Sequence, residues 1–385
     1  MLTSRFWGMQ DITFLKKTIT LMLRLCIVLA VLFMLPTILI PQLLMRMYTN
    51  DSAVIAQGVQ YFKWMVYCYF LQGMTMTCTI VLRSVGQVNF PLFTSIGSFF
   101  VNILFNYMFI FGKLGVPRME VEGAGVGTLI ARVFEFSLIC GYFLFVDRKI
   151  GYRLKDLRMK CNSLIKDYVS ISIPVFVSDS LLALGTSAVA MVMGRIGTGF
   201  VSANSITVVT QQLTTVVIQG ICHAGCIMTG HTLGHGEREK AQQQAWTFLI
   251  LGLVVGILGG GLIKVLSRPI IGLYNITPET AQIAGELMDA IAFIVIFQSM
   301  NSILTKGVLR GGGDTKFLMV ADIIFLWAAS LPLGILAGLV WHLDAFWIYV
   351  FLKIDQICKS IWCVFRLRSG KWIKTFSKEK MNHAQ

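Results

Sequence analysis

Long apolar stretches constrain this chain of 385 residues more than any other feature. They repeatedly reach about 20 residues, the length that a helix needs to cross roughly 30 Å of hydrocarbon. Leu21–Leu44 is the clearest of them. Because unpaired backbone groups are costly in hydrocarbon and no period-two alternation appears, the stretches predict helices rather than barrel strands. With 56% hydrophobic residues, the chain carries more apolar surface than a water-soluble globule can bury.

The placement of charge decides what the formal net charge of +14 means. Basic residues are concentrated in the polar connection 147–165 and in the tail, not in a patch with interleaved aromatic residues. This pattern is typical of the positive-inside rule and gives no support for a nucleic-acid partner. We therefore expect a multi-pass protein of a bacterial-type inner (plasma) membrane, with the lipid bilayer as its main partner, both termini cytoplasmic and a monomeric state.

Apolar runs bounded by Gly, Pro, Asn and charge predict about ten spans, four in a first lobe and six in a second. Their approximate limits are 17–44, 53–81, 91–112, 122–146, 166–194, 201–230, 241–266, 280–309, 317–340 and 345–365. The predicted organisation is an incomplete N-terminal lobe at 1–147, a cytoplasmic linker at 148–165, a C-terminal lobe at 166–368 and a basic tail at 369–385.

An internal repeat relates the two lobes. The segment Val81–Phe90 resembles Val308–Phe317. In this alignment Arg83, Gly86 and Asn89 correspond to Arg310, Gly313 and Lys316. At an offset one residue smaller, Gly8 aligns with Gly234, Tyr48 with Tyr274 and Gln72 with Gln298. We interpret the chain as a two-lobed helical bundle with parallel repeats. Two helices of the second lobe have no counterpart before Gly8, so the first lobe is expected to lack its first two helices.

Three carboxylates within spans are candidate sites for a coupling cation, since a charge in hydrocarbon is costly and normally faces a cavity or a partner. Asp179 has no basic residue within one or two turns of its helix, and it is the strongest candidate to exchange a proton or Na⁺ for substrate. Glu135 and Asp355 have Arg132 and Lys359 within one turn. Those two pairs fit ion pairs that stabilise the fold as well as sites for a coupling cation.

Uncharged polar residues within spans are candidates to line a substrate cavity or to bond between helices. They are Gln72, Asn102, Asn106, Gln211, Gln298 and Asn301. The two matched glutamines of the repeat, Gln72 and Gln298, are the best candidates to face one central cavity. Asp322, about a turn into the ninth span, is expected at the cytoplasmic edge.

Paired Arg-Gly turns end a long span in each lobe. Arg83 and Gly86 form the first turn, and Arg310, Gly313 and Asp314 form the second. The arginines either cap helix carbonyls and anchor at phosphate headgroups, or belong to a cytoplasmic gate. Both interpretations stay open.

No catalytic motif such as GxSxG, HExxH or a P-loop occurs, so we expect no enzyme and no cofactor other than a coupling ion, Na⁺ or H⁺. Cys222 and Cys226, and the histidines near them, fit packing better than a metal site.

Several segments in order resemble the multidrug and toxic compound extrusion (MATE) family. In the first lobe these are the Arg-x-x-Gly turn, then Asn102 and Asn106, Gly112, Gly115 and Pro117, and Gly123 to Thr128. In the second they are Pro174, Gly194 to Gly197, Gly230 and Gly234, Leu309 to Thr315, and Gly370-Lys371-Trp372. The resemblance covers essentially the whole chain.

The resemblance implies a cation-coupled antiporter that exports amphipathic, often cationic compounds by alternating access. It also implies an acidic residue in the first helix of each lobe, and Asp179 matches that of the second. The acid that members often carry in the tenth helix is missing around Phe293–Gln298. Two alternatives remain: a flippase for a lipid-linked precursor, for which Arg132 and Lys353 would supply basic groups, and a truncated membrane protein that transports nothing.

Overall fold

The computed structural model describes residues 1–47, 51–113 and 115–374, and within those ranges it contains helices and no strand. Tyr48 of the predicted repeat and most of the basic tail lie outside the described residues. In the N-terminal half the helices are α1 Leu2–Gly8, α2 Ile12–Leu39, α3 Pro41–Arg46, α4 Ser52–Ser84, α5 Asn89–Phe111 and α6 Glu120–Val146. In the C-terminal half they are α7 Asn162–Ile196, α8 Thr198–Gly234, α9 Arg238–Gly272, α10 Pro278–Gly312, α11 Thr315–Val340, α12 Ala345–Leu352 and α13 Ile354–Arg368.

Nine of the described helices are long and apolar enough to cross a membrane. The tenth predicted span, 345–365, is not one helix. It is interrupted at Lys353, whose φ of −122° and ψ of 15° end α12 before α13 begins. The predicted span at 345–365 therefore consists of two shorter helices, α12 and α13, separated at Lys353.

The chain divides into two compact units after Ile165. In the N-terminal unit, α5 and α6 approach so closely that a side chain at Gly123 would lie 2.7 Å from the backbone of Phe109. Asp11 and Asp51 cap α2 and α4 by accepting hydrogen bonds from backbone N–H groups of their first turns. Large apolar side chains such as Val28 and Phe33 remain exposed on α2, as expected for a face in contact with lipid.

The connection after α6 packs on the start of α2 within the same unit. Lys16 donates to the backbone oxygen of Gly151 at 2.6 Å and pairs with Asp156 at 2.9 Å. Burial raises the pKa of the Asp156 carboxyl, but hydrogen bonds from Lys16 and from the backbone N–H of Arg153 outweigh it, so the net pKa lies below its ordinary value.

The C-terminal unit is built around α10, whose residues Leu287, Ala290, Ile291 and Val295 are fully buried. Helix α9 packs against it through glycines. A side chain at Gly256 would lie 2.7 Å from the Cα atom of Ile296 on α10, so only glycine permits this approach.

The backbone repeats the sequence repeat. Gly86 and Gly313 both have positive φ, 78° and 90°, and each turn closes with two equivalent hydrogen bonds: from Gly86 and Gln87 to Arg83 and Leu82 in one unit, and from Gly313 and Asp314 to Arg310 and Leu309 in the other. The same agreement holds at Gln10 and Gly236, which follow α1 and α8. The prediction of repeated halves is confirmed at these turns.

Each turn is also bound by a residue that follows its unit's last span. The Nε2 atom of Gln87 donates to Asp147 at 2.8 Å. In the C-terminal unit the buried Asp314 pairs with Arg366 at 2.7 Å and with Lys374 at 3.4 Å. Trp372 is fully buried against Gly312. The segment that follows α13 therefore packs against the turn that contains Arg310.

Candidate functional site

A polar cavity of about 300 Å³ lies inside the C-terminal unit. Its lining comes from α7, α8, α10, α11 and the interrupted α12–α13 segment. The polar and charged lining residues are Thr186, Thr215, Gln219, Gln298, Asn301, Ser302, Thr305, Lys306, Arg310, Asp322, Lys353, Asp355, Gln356 and Lys359. So polar a cavity among apolar spans is typical of a solute or ion pathway.

One wall of the cavity is a buried ion network. The ammonium of Lys359 lies 3.1 Å from Asp322 and 3.0 Å from Asp355. Only 2% of the Lys359 side chain is exposed. Ser178 of α7 donates a hydrogen bond to Asp322, which joins a third helix to the network. The prediction that Asp322 extends to the cytoplasmic edge was therefore wrong, because a cation within the unit attracts its carboxylate inward.

The helix interruption lies next to this network. The Oγ atom of Ser330, on α11, donates to the backbone oxygen of Leu352 at 2.5 Å. The backbone N–H of Lys353 still donates to the oxygens of Tyr349 and Val350. Broken backbone at membrane depth is tolerated where it is buried in protein or lines a cavity, and both conditions hold here.

Asp179 is not the lone carboxylate that its helix suggests. Arg310 donates to its Oδ1 atom at 3.0 Å, across 131 residues of sequence. The prediction of an unpaired Asp179 was wrong, because the partner belongs to the turn at the end of α10. About half of the Asp179 side chain, 49%, and a quarter of the Arg310 side chain, 25%, are exposed.

All three predicted coupling carboxylates are thus paired with a base. Asp355 pairs with Lys359, as its spacing predicts, and Glu135 pairs with Arg132 at 2.7 Å in the N-terminal unit. A cation or proton that binds at any of them must displace a basic side chain. Displacement costs least at Asp179, where both partners retain access to solvent.

The predicted cavity amides separate into two groups. Gln298 and Asn301 line the cavity, and Gln211 donates to Gln298 at 2.6 Å in an adjoining cavity of about 240 Å³. The other three belong to the N-terminal unit. Gln72 is exposed on α4, and Asn106 donates to Asn102 at 3.1 Å along α5. That Gln72 and Gln298 face one central cavity stays a prediction.

Sequence reasoning missed several residues of this site. Lys359 was seen only as a partner of Asp355, and Lys306, Gln356 and Ser178 were not singled out. The signal that could have found Gln356 is its position one turn before Ser360 and one residue after a buried acid, on the polar face of a span. It donates to Asp355 at 2.7 Å and accepts from Asn301 at 2.8 Å.

The MatE family model matches residues 1–108 and 174–358, well over half of the chain. This chain belongs to the MatE family. The resemblance stated from its motifs is thereby confirmed.

Two relatives of this MatE chain are named as probable multidrug resistance proteins NorM. The one from Pasteurella multocida is 26% identical over 236 residues, which cover 61% of this chain and 51% of the relative. The one from Thermotoga maritima is 26% identical over 297 residues, which cover 76% and 63%. The MatE chain therefore spans about half to two thirds of the length of these curated relatives.

Solved structures share the fold of the MatE chain. A mutant of the Vibrio cholerae MATE transporter VcmN matches with a TM-score of 0.86 at 16% identity, covering 96% of this chain and 82% of that one. An outward-facing multidrug resistance MATE transporter of the MOP superfamily matches with a TM-score of 0.84 at 17% identity and the same coverage. At this identity the likeness shows the fold alone.

Proposed function

We propose that this protein exports small amphipathic compounds across a membrane in exchange for Na⁺ or H⁺. The observation that carries the proposal is the polar cavity, which is enclosed by spans whose outer faces are apolar. Family membership and the names of the relatives support extrusion as the activity. The positive-inside pattern supports a bacterial-type plasma membrane with both termini in the cytoplasm.

The coupling step is assigned to Asp179 and Arg310. Their bond joins α7 to the end of α10, so it stabilises one arrangement of these helices. A proton or Na⁺ on Asp179 removes the attraction to Arg310 and favours arrangements in which the two helices are not bridged. Because the ion stabilises the unbridged arrangement and the cavity described here belongs to the bridged one, ion and substrate favour different states.

Proteoliposomes test this proposal. A proton or Na⁺ gradient should drive accumulation of a transported dye by the wild type, and Asp179→Asn should reduce that accumulation at least tenfold while dye-for-dye exchange persists. Asp289→Asn is the matched control, since Asp289 also forms an exposed ion pair, with Lys264, outside the cavity. Full gradient-driven transport in Asp179→Asn would remove this carboxylate from the mechanism. Absence of any transport by the wild type would leave a membrane protein that transports nothing.

A flippase for a lipid-linked precursor is a second candidate, favoured by one observation. Lys353 lines the cavity and would meet an acidic headgroup there. The other base predicted for this role, Arg132, is paired with Glu135 in the N-terminal unit.

A further inference from the structure

The balance of charge in the C-terminal cavity differs from what a cationic substrate needs. Two carboxylates line the cavity, Asp322 and Asp355, and Lys359 binds both of them. No carboxylate that lines the cavity is therefore left to pair with a positively charged solute. A cation entering here would have to compete with an ammonium already held at 3.0 Å and 3.1 Å.

Two basic side chains in the same cavity have no ion-pair partner among the described residues. Within residues 1–47, 51–113 and 115–374, the side chains of Lys353 and Lys306 make no hydrogen bond or ion pair, and both line the cavity. The charged groups that act electrostatically on Lys353 are Asp355 and Lys359, which are already paired with each other. Counting Asp179 as the partner of Arg310, the lining carries one more positive than negative charge.

The position of Lys353 suits it to bind a solute. It lies at the interruption between α12 and α13, and it lines both the larger cavity and the adjoining one. Gln298 and Gln356 line the same two cavities and supply amide groups beside it. A lysine side chain that has no ion-pair partner and lies beside amides binds an acidic group through charge-assisted hydrogen bonds, because the incoming anion favours the charged form of the lysine.

We infer that the cavity binds the acidic group of an amphipathic anion, a carboxylate, sulfonate or phosphate, with Lys353 as the principal contact. The inference rests on the proposed export function and names the charge of its substrate, in place of the cationic substrates that the family resemblance implies. An anion that binds the bridged arrangement, while a proton favours the unbridged one, is compatible with exchange of the two.

A matched pair of probes tests the site directly. Dansylglycine and dansylcadaverine share one fluorophore and carry opposite single charges. We expect purified wild-type protein in phosphatidylcholine nanodiscs to bind dansylglycine more tightly than dansylcadaverine, after subtraction of empty nanodiscs. Lys353→Met should weaken dansylglycine binding about ten- to hundredfold. Lys353→Arg should retain it within about threefold because the charge is kept.

The control is Lys316→Met, which removes an exposed lysine outside the cavity and should leave binding unchanged. Tighter binding of dansylcadaverine by the wild type would overturn the inference even if no variant folded. Unchanged dansylglycine affinity in a monodisperse Lys353→Met protein would overturn it as well.

Two further arms separate the outcomes. Phosphatidic acid added to the nanodiscs displaces dansylglycine if the natural anion is a lipid headgroup. It leaves dansylglycine bound if the natural anion is soluble. Both results are interpreted for dansylglycine binding that Lys353→Met weakens. Transport is measured separately in proteoliposomes. Binding of dansylglycine without transport would contradict the proposed export function and support the anion site. Transport of dansylcadaverine alone would support the export function and contradict the anion site.

Discussion

Lys359 pairs with two largely buried carboxylates at once, so its loss is expected to destabilise the C-terminal unit. Its removal leaves Asp322 and Asp355 facing each other without a cation in a region largely shielded from water. Like charges at short range, both desolvated, favour unfolding or protonation of one of them. The network thus stabilises the packing of α11 against α13.

We expect Lys359→Met to lower the free energy of unfolding by about 3–5 kcal/mol, because it breaks buried ion pairs by removing one partner. Thermal unfolding in detergent, followed by intrinsic fluorescence, measures the loss. Neutralising both acids in the same protein, with Asp322→Asn and Asp355→Asn, should restore most of it.

Lys264→Met is the matched control for that experiment. Lys264 pairs with Asp289 at 2.5 Å, but both side chains are exposed, so its loss should cost at most about 1 kcal/mol. Equal destabilisation by the two lysine variants would contradict a special contribution from the buried network.

Asp156 gives the N-terminal unit a defined dependence on pH. Its pKa in the folded protein lies below the ordinary 3.8, since the bonds from Lys16 and the Arg153 backbone outweigh burial. A depressed pKa stabilises the fold fully above 3.8, and this contribution disappears as pH falls through the lower folded value. Asp156→Asn should therefore lower the unfolding temperature at pH 7 and have a progressively smaller effect as pH falls below 3.8. A deficit that persisted unchanged in acid would show that the bond lost is not the ionic one.

At the scale of residues, the sequence located candidates better than their partners. Asp355 and Lys359, or Arg132 and Glu135, are neighbours on one helix, so their spacing predicts the pairs. The bonds of Asp179 to Arg310 and of Lys359 to Asp322 join helices that are distant in the chain, and no local pattern reports them. The sequence named Lys353 as a base within a span, but the cavity that it lines is known only from the structure.

At the scale of elements, small residues set how closely the spans pack. Gly256 faces the backbone of Ile296, while Gly261 on the same helix has open space around it. We expect Gly256→Ala to separate α9 from α10 and destabilise the unit by about 1–3 kcal/mol, as overpacking does. Gly261→Ala should be neutral or slightly stabilising. Thermal unfolding of the two variants, side by side, makes the comparison, and equal effects would refute the close packing.

The helical class and nine of the predicted spans followed from hydropathy, whereas the interruption at Lys353 did not. The segment 345–365 contains no proline or glycine, the usual signals of a break, so its composition predicts one continuous span. At the break, Ser330 of the preceding helix donates a hydrogen bond to the backbone oxygen of Leu352. A tertiary contact of this kind is invisible to periodicity.

At the scale of the molecule, the repeat was readable because matched turns need matched residues. Gly86 and Gly313 occupy left-handed backbone that other residues rarely adopt, so the glycine is retained in both halves. The anchors of the turns differ in chemistry: Gln87 binds Asp147, whereas Asp314 binds Lys374. The two units therefore share the backbone geometry of these turns but differ in the charged side chains that bind them. The charge of the C-terminal cavity can thus differ from that of the matching region of the N-terminal unit.

That net charge leads to a prediction about the driving force of transport. Exchange of one anion leaving the cell for one proton entering moves two positive charge equivalents inward. Each charge is worth about 2.3 kcal/mol per 100 mV, so a potential of 100 mV would support more than a thousandfold gradient of the anion. Exchange of a monovalent cation for one proton moves no net charge and gains nothing from the potential.

A potassium diffusion potential set by valinomycin, with no pH difference, separates these cases in proteoliposomes. With the cytoplasmic face negative, we expect the wild type to move dansylglycine outward, and the initial rate should rise with the imposed potential. Asp179→Asn should lose this dependence because exchange requires a proton on that carboxylate, whereas Asp289→Asn should keep it. A rate of dansylglycine transport that ignored the potential while a pH gradient still drove it would mean that the charge of the anion is cancelled within the cycle, as in co-transport with a proton in the same direction, and would contradict anion-for-proton exchange.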